Sequence, residues 1–396
     1  MNRDYQNIHS GSFLTLPTEM VVFGLPAEEA VLAELQRRNA RRAFVVSTRS
    51  LQSLANSPLH RIVRALGAHH AGTFAEVREH APREDVIAGA RQAREAKADI
   101  LIAVGGGSAI DAAKVMQMCL WFDLLSTQSL EPYLSGGDIE KQGGATPATN
   151  AIRMIAVPTT LSAAEFTAMA GITNSETKAK QAFRHPLFGV RLVVLDPSAT
   201  LDTPDSLLFS SGVKAVDHAV ETFCALNANP ATEALSLQGL RLLSKALPEI
   251  RSRPSELQPR MNAQFGMWQA IAPFVSGAHI GASHGLGQAI GSSYQIPHGQ
   301  TSCILLPAVL RWNAATNAER HKELSAAMSR PDRPAADLVA ELVETLGEPT
   351  QLRSTSVKRS DFDEIARRAL LLDPVRRNPR PINSVDDIKE ILELAW

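Results

Sequence analysis

Lys214 and His218 stand four residues apart in the segment Gly212-Val213-Lys214-Ala215-Val216-Asp217-His218-Ala219-Val220-Glu221. On a helix that spacing puts both side chains on one face. Two further histidines follow much later, in Gly281-Ala282-Ser283-His284-Gly285 and Ile296-Pro297-His298-Gly299. His218, His284 and His298 each lie in a glycine- or proline-marked context, and we expect them to share a pocket. Three imidazoles with a carboxylate at position 214 would make a divalent-metal site. Position 214 is a lysine instead, a cation where a cation's ligand is expected. Asp217 could replace the lost ligand, but it sits about 100° round the helix from His218 and would need local distortion to reach the same pocket. The remaining histidines, His9, His60, His69, His70, His80, His185, His279 and His321, are read as structural or exposed.

A second constellation is built for phosphate. An apolar run ending at Val104 leads directly into Gly105-Gly106-Gly107-Ser108-Ala109-Ile110-Asp111. Consecutive glycines let the backbone turn tightly and approach a ligand, while the following helix offers unpaired N–H groups to phosphate oxygens. Ile110 stands where the G-x-G-x-x-G fingerprint has its third glycine, and the ending of a P-loop is absent. Pro158-Thr159-Thr160-Leu161-Ser162 leaves another apolar run, with hydroxyls placed to contact a phosphate, ribose or amide. A third run ends at Ser47-Thr48-Arg49. An acid there would accept hydrogen bonds from an adenosine ribose and repel a 2′-phosphate. Thr48 does neither, and Arg49 could attract the phosphate.

The elements that must carry these residues fall into two textures. Ala43–Ser47, Asp99–Val104, Ile152–Pro158 and Leu192–Pro197 read as strands that barely alternate, with a helix over Glu84–Glu95. Unalternating strands separated by helices predict a parallel sheet covered on both faces. From about 205 onward, Ala/Leu/Glu/Arg/Ser segments predict helices. The expected division is an α/β domain over 1–200 and an all-α domain over 201–396, with Pro197 and Pro204 flanking the link. Ser126 to Asn150 is expected to be a loop or loosely ordered insertion.

Length agrees with two domains, since 396 residues exceed the size at which one core stops growing. A formal charge of −1 with 44% apolar residues argues against a polyanion or membrane surface as partner. Neither a membrane span nor a signal peptide is visible. Cys119, Cys224 and Cys303 read as reduced, buried thiols of a cytoplasmic protein.

In combination, the GGGSAID turn, the PTT turn, Asp196-Pro197, the G-x-x-A-x-x-H-A-x-E helix and the spaced histidines resemble the iron-type (group III) alcohol dehydrogenase superfamily. That resemblance spans nearly the whole chain and implies a dehydroquinate synthase-like architecture, with the active site in the cleft between a dinucleotide-binding domain and a helical domain. It implies NAD or NADP as cofactor, a small alcohol, aldehyde, ketone or oxo acid as substrate, and a homodimer. Gly105, Gly106, Gly107, Ser108, Asp111, Thr159, Thr160 and Ser162 match cofactor-binding positions, with Thr48 beside them and Lys180 as a further contact. His218, His284 and His298 match three of four ligand positions for a divalent Fe or Zn. Lys214 occupies the fourth, an aspartate in metal-dependent members, and Gln288 takes the place of a further histidine near the reacting carbonyl.

The PTT turn, the Ser47-Thr48 pair and the Ala71-Gly72-Thr73-Phe74 to His80-Ala81-Pro82 stretch are similar to the maleylacetate reductase branch, which lacks the aspartate and works without metal. Members of that branch usually carry asparagine at position 214 and keep the histidine that Gln288 replaces. The expected activity is hydride transfer between nicotinamide and an alcohol or carbonyl, with metal retention left open. Lys214 would polarise the carbonyl and a histidine would shuttle the proton. Alternatives are reduction of an oxo acid, a dehydroquinate synthase-like cyclase or lyase, and a non-catalytic cofactor-binding protein.

Overall fold

A computed structural model describes residues 12–16, 18–141 and 144–396, so His9 lies outside the described residues. The chain forms two compact units, one of Leu16–Leu208 with Arg253–Gln264, the other of Phe209–Ser252 with Phe265–Trp396 and the N-terminal residues up to Thr15.

The first unit contains the strands β1 (Met20–Phe23), β2 (Ala43–Thr48), β3 (His70–Val77), β4 (Ile100–Gly105), β5 (Arg153–Pro158), β6 (Met169–Asn174), β7 (Ala179–Arg184) and β8 (Leu192–Leu195). Six of them form one sheet in the order β1-β8-β5-β4-β2-β3, and every pairing in it is parallel. β6 and β7 make a separate antiparallel hairpin. Its helices are α1 (Ala27–Arg38), α2 (Arg49–Ser53), α3 (Pro58–Leu66), α4 (Arg83–Glu95), α5 (Gly107–Trp121) and the short α6 (Asp138–Lys141).

The apolar runs seen in sequence become β2, β4, β5 and β8 because the interior of a parallel sheet is buried on both faces. Val45, Ile102, Val104, Ile155, Val157 and Leu192 share a core with Leu35 of α1 and Leu59 and Ile62 of α3. Elsewhere Met116 of α5 and Phe74 of β3 converge on Gly89 of α4, where an added Cβ would lie 2.3 Å from the methionine. Sequence reading misses β1, β3 and the β6–β7 hairpin. It also takes Ser126–Asn150 as loop, whereas Gln128–Tyr133 makes 3-10 turns and α6 follows them.

The second unit is helical, as its composition predicts. It contains most of α7 (Asp205–Cys224), then α8 (Pro230–Ser252), the part of α9 (Leu257–Val275) from Phe265 onward, α10 (Ala282–Tyr294) and α11 (His298–Asn313), and helices continue to Val385–Leu394. Gly299 fixes how α11 meets α7. A Cβ there would lie 2.6 Å from the Ser210 carbonyl oxygen, so only glycine lets the first turn of α11 press against α7 one turn before Lys214.

Candidate functional site

In the helical unit, α7 supplies Lys214, Asp217, His218 and Glu221; α10 supplies His284 and Gln288; and α11 begins with His298. The imidazoles of His218 and His284 stack with centroids 4.5 Å apart. His284 and His298 meet edge to face at 6.1 Å. Nδ1 of His218 and Nε2 of His284 are both buried with no hydrogen-bond partner among the described residues. Burial, then the charges of His284, Lys214 and His298, pushes the His218 imidazole well below its ordinary range, so it is neutral at pH 7. Lys214 is half-buried, while Gln288, one turn beyond His284, is exposed.

Glu221, which sequence reasoning does not single out, organises the surroundings of His284. Its carboxylate accepts the backbone N–H of Gly281 at 2.8 Å and of Ser283 at 2.7 Å, closing the open N-terminal turn of α10. It also accepts Nδ1–H of His284 at 2.8 Å, which fixes that ring's tautomer and leaves Nε2 as its unpaired edge. Asp217, fully buried, accepts the Ser283 hydroxyl at 2.7 Å and lies 3.6 Å from His284 Nδ1. Burial alone would lower the basicity of His284, but Asp217 and Glu221 outweigh it and raise the imidazole above its ordinary value. Burial likewise raises the Asp217 carboxyl, with His284 opposing. The available signal was the spacing of Asp217 and Glu221, one turn apart on one helix face.

Asp217, Glu221 and His284 place ligand-type atoms within 4.8 Å of one another. Both carboxylates approach His284 on its Nδ1 edge, where they already accept hydrogen bonds. They resemble the outer carboxylates that orient an imidazole more than ligands themselves. The other groups beside the His284 ring are the imidazoles of His218 and His298, with Lys214 one turn before His218 on α7. Against a resident divalent ion stand the hydrogen bonds that both carboxylates already make and the cation at position 214; in favour of one stands Asp217 Oδ1, buried with no hydrogen-bond partner among the described residues.

In the strand-rich unit, the turns after β4 and β5 are locked together. Thr159 N–H donates to Gly105 O at 3.1 Å, and Thr160 Oγ1 donates to Ser162 Oγ at 3.1 Å. Gly105 has φ +149°, and a Cβ on Gly106 would lie 2.8 Å from the Thr160 side chain. The glycines therefore open a cradle that any side chain would fill, directly before the N-terminus of the long helix α5, and this fits a pyrophosphate. Ser108 Oγ accepts His80 N–H at 3.1 Å, and Asp111 accepts Gly171 N–H at 3.0 Å, tying α5 to β6. Lys180 on β7 is exposed, its chain lying over Gly171. Thr48, half-buried, ends β2.

Beneath the cradle are two residues the sequence reading passed over. Lys114, fully buried, donates to the carbonyls of Ala164, Thr167 and Met169 at 2.6–2.9 Å, pinning the chain beyond the PTT turn. Glu165 is also fully buried, and no donor from another described residue reaches either carboxylate oxygen. Burial pushes its carboxyl up to about 7, with the nearby Lys114 charge opposing.

Among the described residues, the ring contacts that build the cluster join His218, His284 and His298, and the histidines read as structural take no part in them. His60, His70 and His185 each engage a nearby carbonyl or hydroxyl. All three cysteines are buried. No helix among the described residues is long and apolar enough to cross a membrane.

Residues 17–197 match the iron-containing alcohol dehydrogenase family, and residues 208–396 match the C-terminal part of the Fe-containing alcohol dehydrogenase family. Maleylacetate reductase from Delftia acidovorans is 28% identical over 365 residues, covering 92% of each chain. Maleylacetate reductase 2 of Cupriavidus pinatubonensis is 30% identical over 313 residues, 78% of this chain and 76% of that one. Among solved structures, an iron-containing alcohol dehydrogenase from Corynebacterium glutamicum is 26% identical and superposes with a TM-score of 0.81, over 98% of this chain and 96% of that one.

Proposed function

The chain belongs to the iron-containing alcohol dehydrogenase family and is an oxidoreductase; from that premise we propose that it reduces a carbonyl with NAD(P)H, using Lys214 in place of a metal ion. The observation that carries this reading is the charge at position 214. Lys214 lies close enough to His218 to help hold that imidazole neutral, while the nearby carboxylates of Asp217 and Glu221 engage His284.

The glycine cradle holds the dinucleotide pyrophosphate, and Thr159, Thr160 and Ser162 line the adjoining turn. When bound, the nicotinamide supplies the hydride. As hydride arrives, negative charge grows on the carbonyl oxygen, and the Lys214 ammonium donates a hydrogen bond to it. A preorganised donor of this kind is worth roughly 3 kcal/mol, about a hundredfold or more in kcat. Neutral His218, with His284 and His298 beside it, relays the proton that completes the alcohol. Glu221 holds His284 in one tautomer so that the relay keeps a fixed direction.

A second reading has the same support. A lysine can pair with a substrate carboxylate, as an oxo acid would require, and two of the relatives are maleylacetate reductases. The test follows the absorbance of NADH and NADPH with aldehydes, ketones and 4-oxo acids, alongside Zn and Fe analysis of the purified protein. Chelator-resistant reduction is expected, with a fall of about a hundredfold in kcat for Lys214→Met. Stoichiometric Zn or Fe, with activity lost to a chelator and restored by the metal, would overturn the lysine mechanism. Tight NAD(P)H binding without reduction of any carbonyl would favour a non-catalytic protein. Turnover without net change in reduced nicotinamide would favour a cyclase or lyase.

A further inference from the structure

β2 runs beside β4, with Val46 paired to Ala103. The buried Ser47 hydroxyl donates to Val104 O at 2.8 Å, which brings Thr48 abreast of the glycine turn. Leu51, just beyond, comes within 3.8 Å of where a Gly105 Cβ would be. In a sheet of this type, a dinucleotide with its pyrophosphate on the glycine turn extends its adenosine ribose toward the carboxyl end of the neighbouring strand. The residues ending β2 therefore meet the ribose 2′ position.

Those residues carry no acid. Thr48 Oγ1 and Ser50 Oγ lie 2.9 Å apart, a pair of hydroxyls able to donate to a phosphate. Between them in sequence is Arg49, with its side chain 70% exposed. The acid within reach is Glu76 on β3, one strand further from the glycine turn, 67% exposed and 3.5 Å from the Arg49 guanidinium. Its charge is offset by Arg49, and an exposed pair at that distance costs little to open. A 2′-phosphate offers the guanidinium a bidentate, doubly charged partner, which a 2′-hydroxyl does not.

We propose that this chain selects NADPH over NADH, with Thr48, Arg49 and Ser50 receiving the 2′-phosphate. The inference rests on the reading of the glycine turn as a dinucleotide cradle. The test is equilibrium binding to the purified full chain, followed by the fluorescence of NADPH and of NADH, which needs no carbonyl substrate.

NADPH should bind about tenfold or more tightly than NADH, with the preference shrinking as salt rises. Arg49→Ala should remove most of the difference by weakening NADPH alone. Thr48→Asp, which places an acid beside the ribose, should weaken NADPH by about tenfold or more and leave NADH unchanged or tighter. Circular dichroism of each variant confirms folding. Equal binding of the two cofactors by the wild type, tighter NADH, or variants that weaken both equally would overturn the assignment. Failure of either cofactor to bind would instead overturn the dinucleotide reading beneath it.

Discussion

Glu221 shows how one carboxylate can set both a helix and an imidazole. It accepts two backbone N–H groups at the start of α10 and the Nδ1–H of His284. A glutamine of the same shape keeps one acceptor but turns an NH2 toward donors that are already committed. Leaving such buried donors unpaired costs about 1–3 kcal/mol. Glu221→Gln should therefore lower the thermal midpoint by several degrees, and it should reduce kcat more than it raises KM, because the His284 tautomer is no longer fixed. Calorimetry with steady-state kinetics checks both, and an unchanged midpoint would show that the carboxylate does not hold the turn. The lysine and three histidines were legible because their types are rare and their local contexts distinctive. The clamp was not, since sixty residues of sequence separate Glu221 from Gly281 and nothing in that interval announces their contact.

Elements were legible in proportion to how completely they are buried. β4 and β8 are buried throughout, so their apolar runs could be read directly. β1 is only partly buried, and β3, at the other edge of the sheet, mixes His70, Thr73 and Glu76 among its apolar residues. An edge strand packs less of its length, so its sequence pattern is weaker. The chain beyond β5 hides more, because its anchor is a buried cation on another element. Lys114 on α5 bonds three of its carbonyls, and Glu165 is buried close enough to feel the charges of Lys114 and Asp111. Burial moves the Glu165 carboxyl from its ordinary 4.5 up to about 7, so between those values the folded chain holds a proton that the unfolded chain has lost. This contribution to stability is present at low pH and is lost as pH rises through about 7. Glu165→Gln keeps the neutral shape at every pH. Its midpoint relative to wild type should therefore climb between pH 5 and pH 8, by an amount equivalent to roughly 2 kcal/mol. Parallel midpoint-versus-pH curves for the two proteins would show that Glu165 does not titrate in that window.

At the scale of the whole chain, the proposed chemistry draws on one group of residues from each unit. The parallel sheet ends in glycine and hydroxyl turns suited to a phosphate, and the helical unit gathers three imidazoles, an ammonium and a carboxylate clamp. That the glycine turn follows a strand and the three histidines lie on helices was legible, because glycine runs after apolar strands and histidines in helical segments are signals of different kinds. It also makes the location of cofactor binding testable without turnover. A ligand that binds only the native state slows exchange most in the segments whose opening would release it. With saturating NADPH, hydrogen exchange should slow most at 47–50, 105–108 and 158–162, the ends of β2, β4 and β5. Gly106→Ala, which drives a methyl group into the Thr160 side chain, should abolish that slowing and leave exchange in the core of β4 unchanged. If NADPH instead slowed only segments 212–221 and 281–299, the dinucleotide would belong to the histidine cluster, and the glycine turn would be a packing device, with α5 approaching the sheet closely for its own sake.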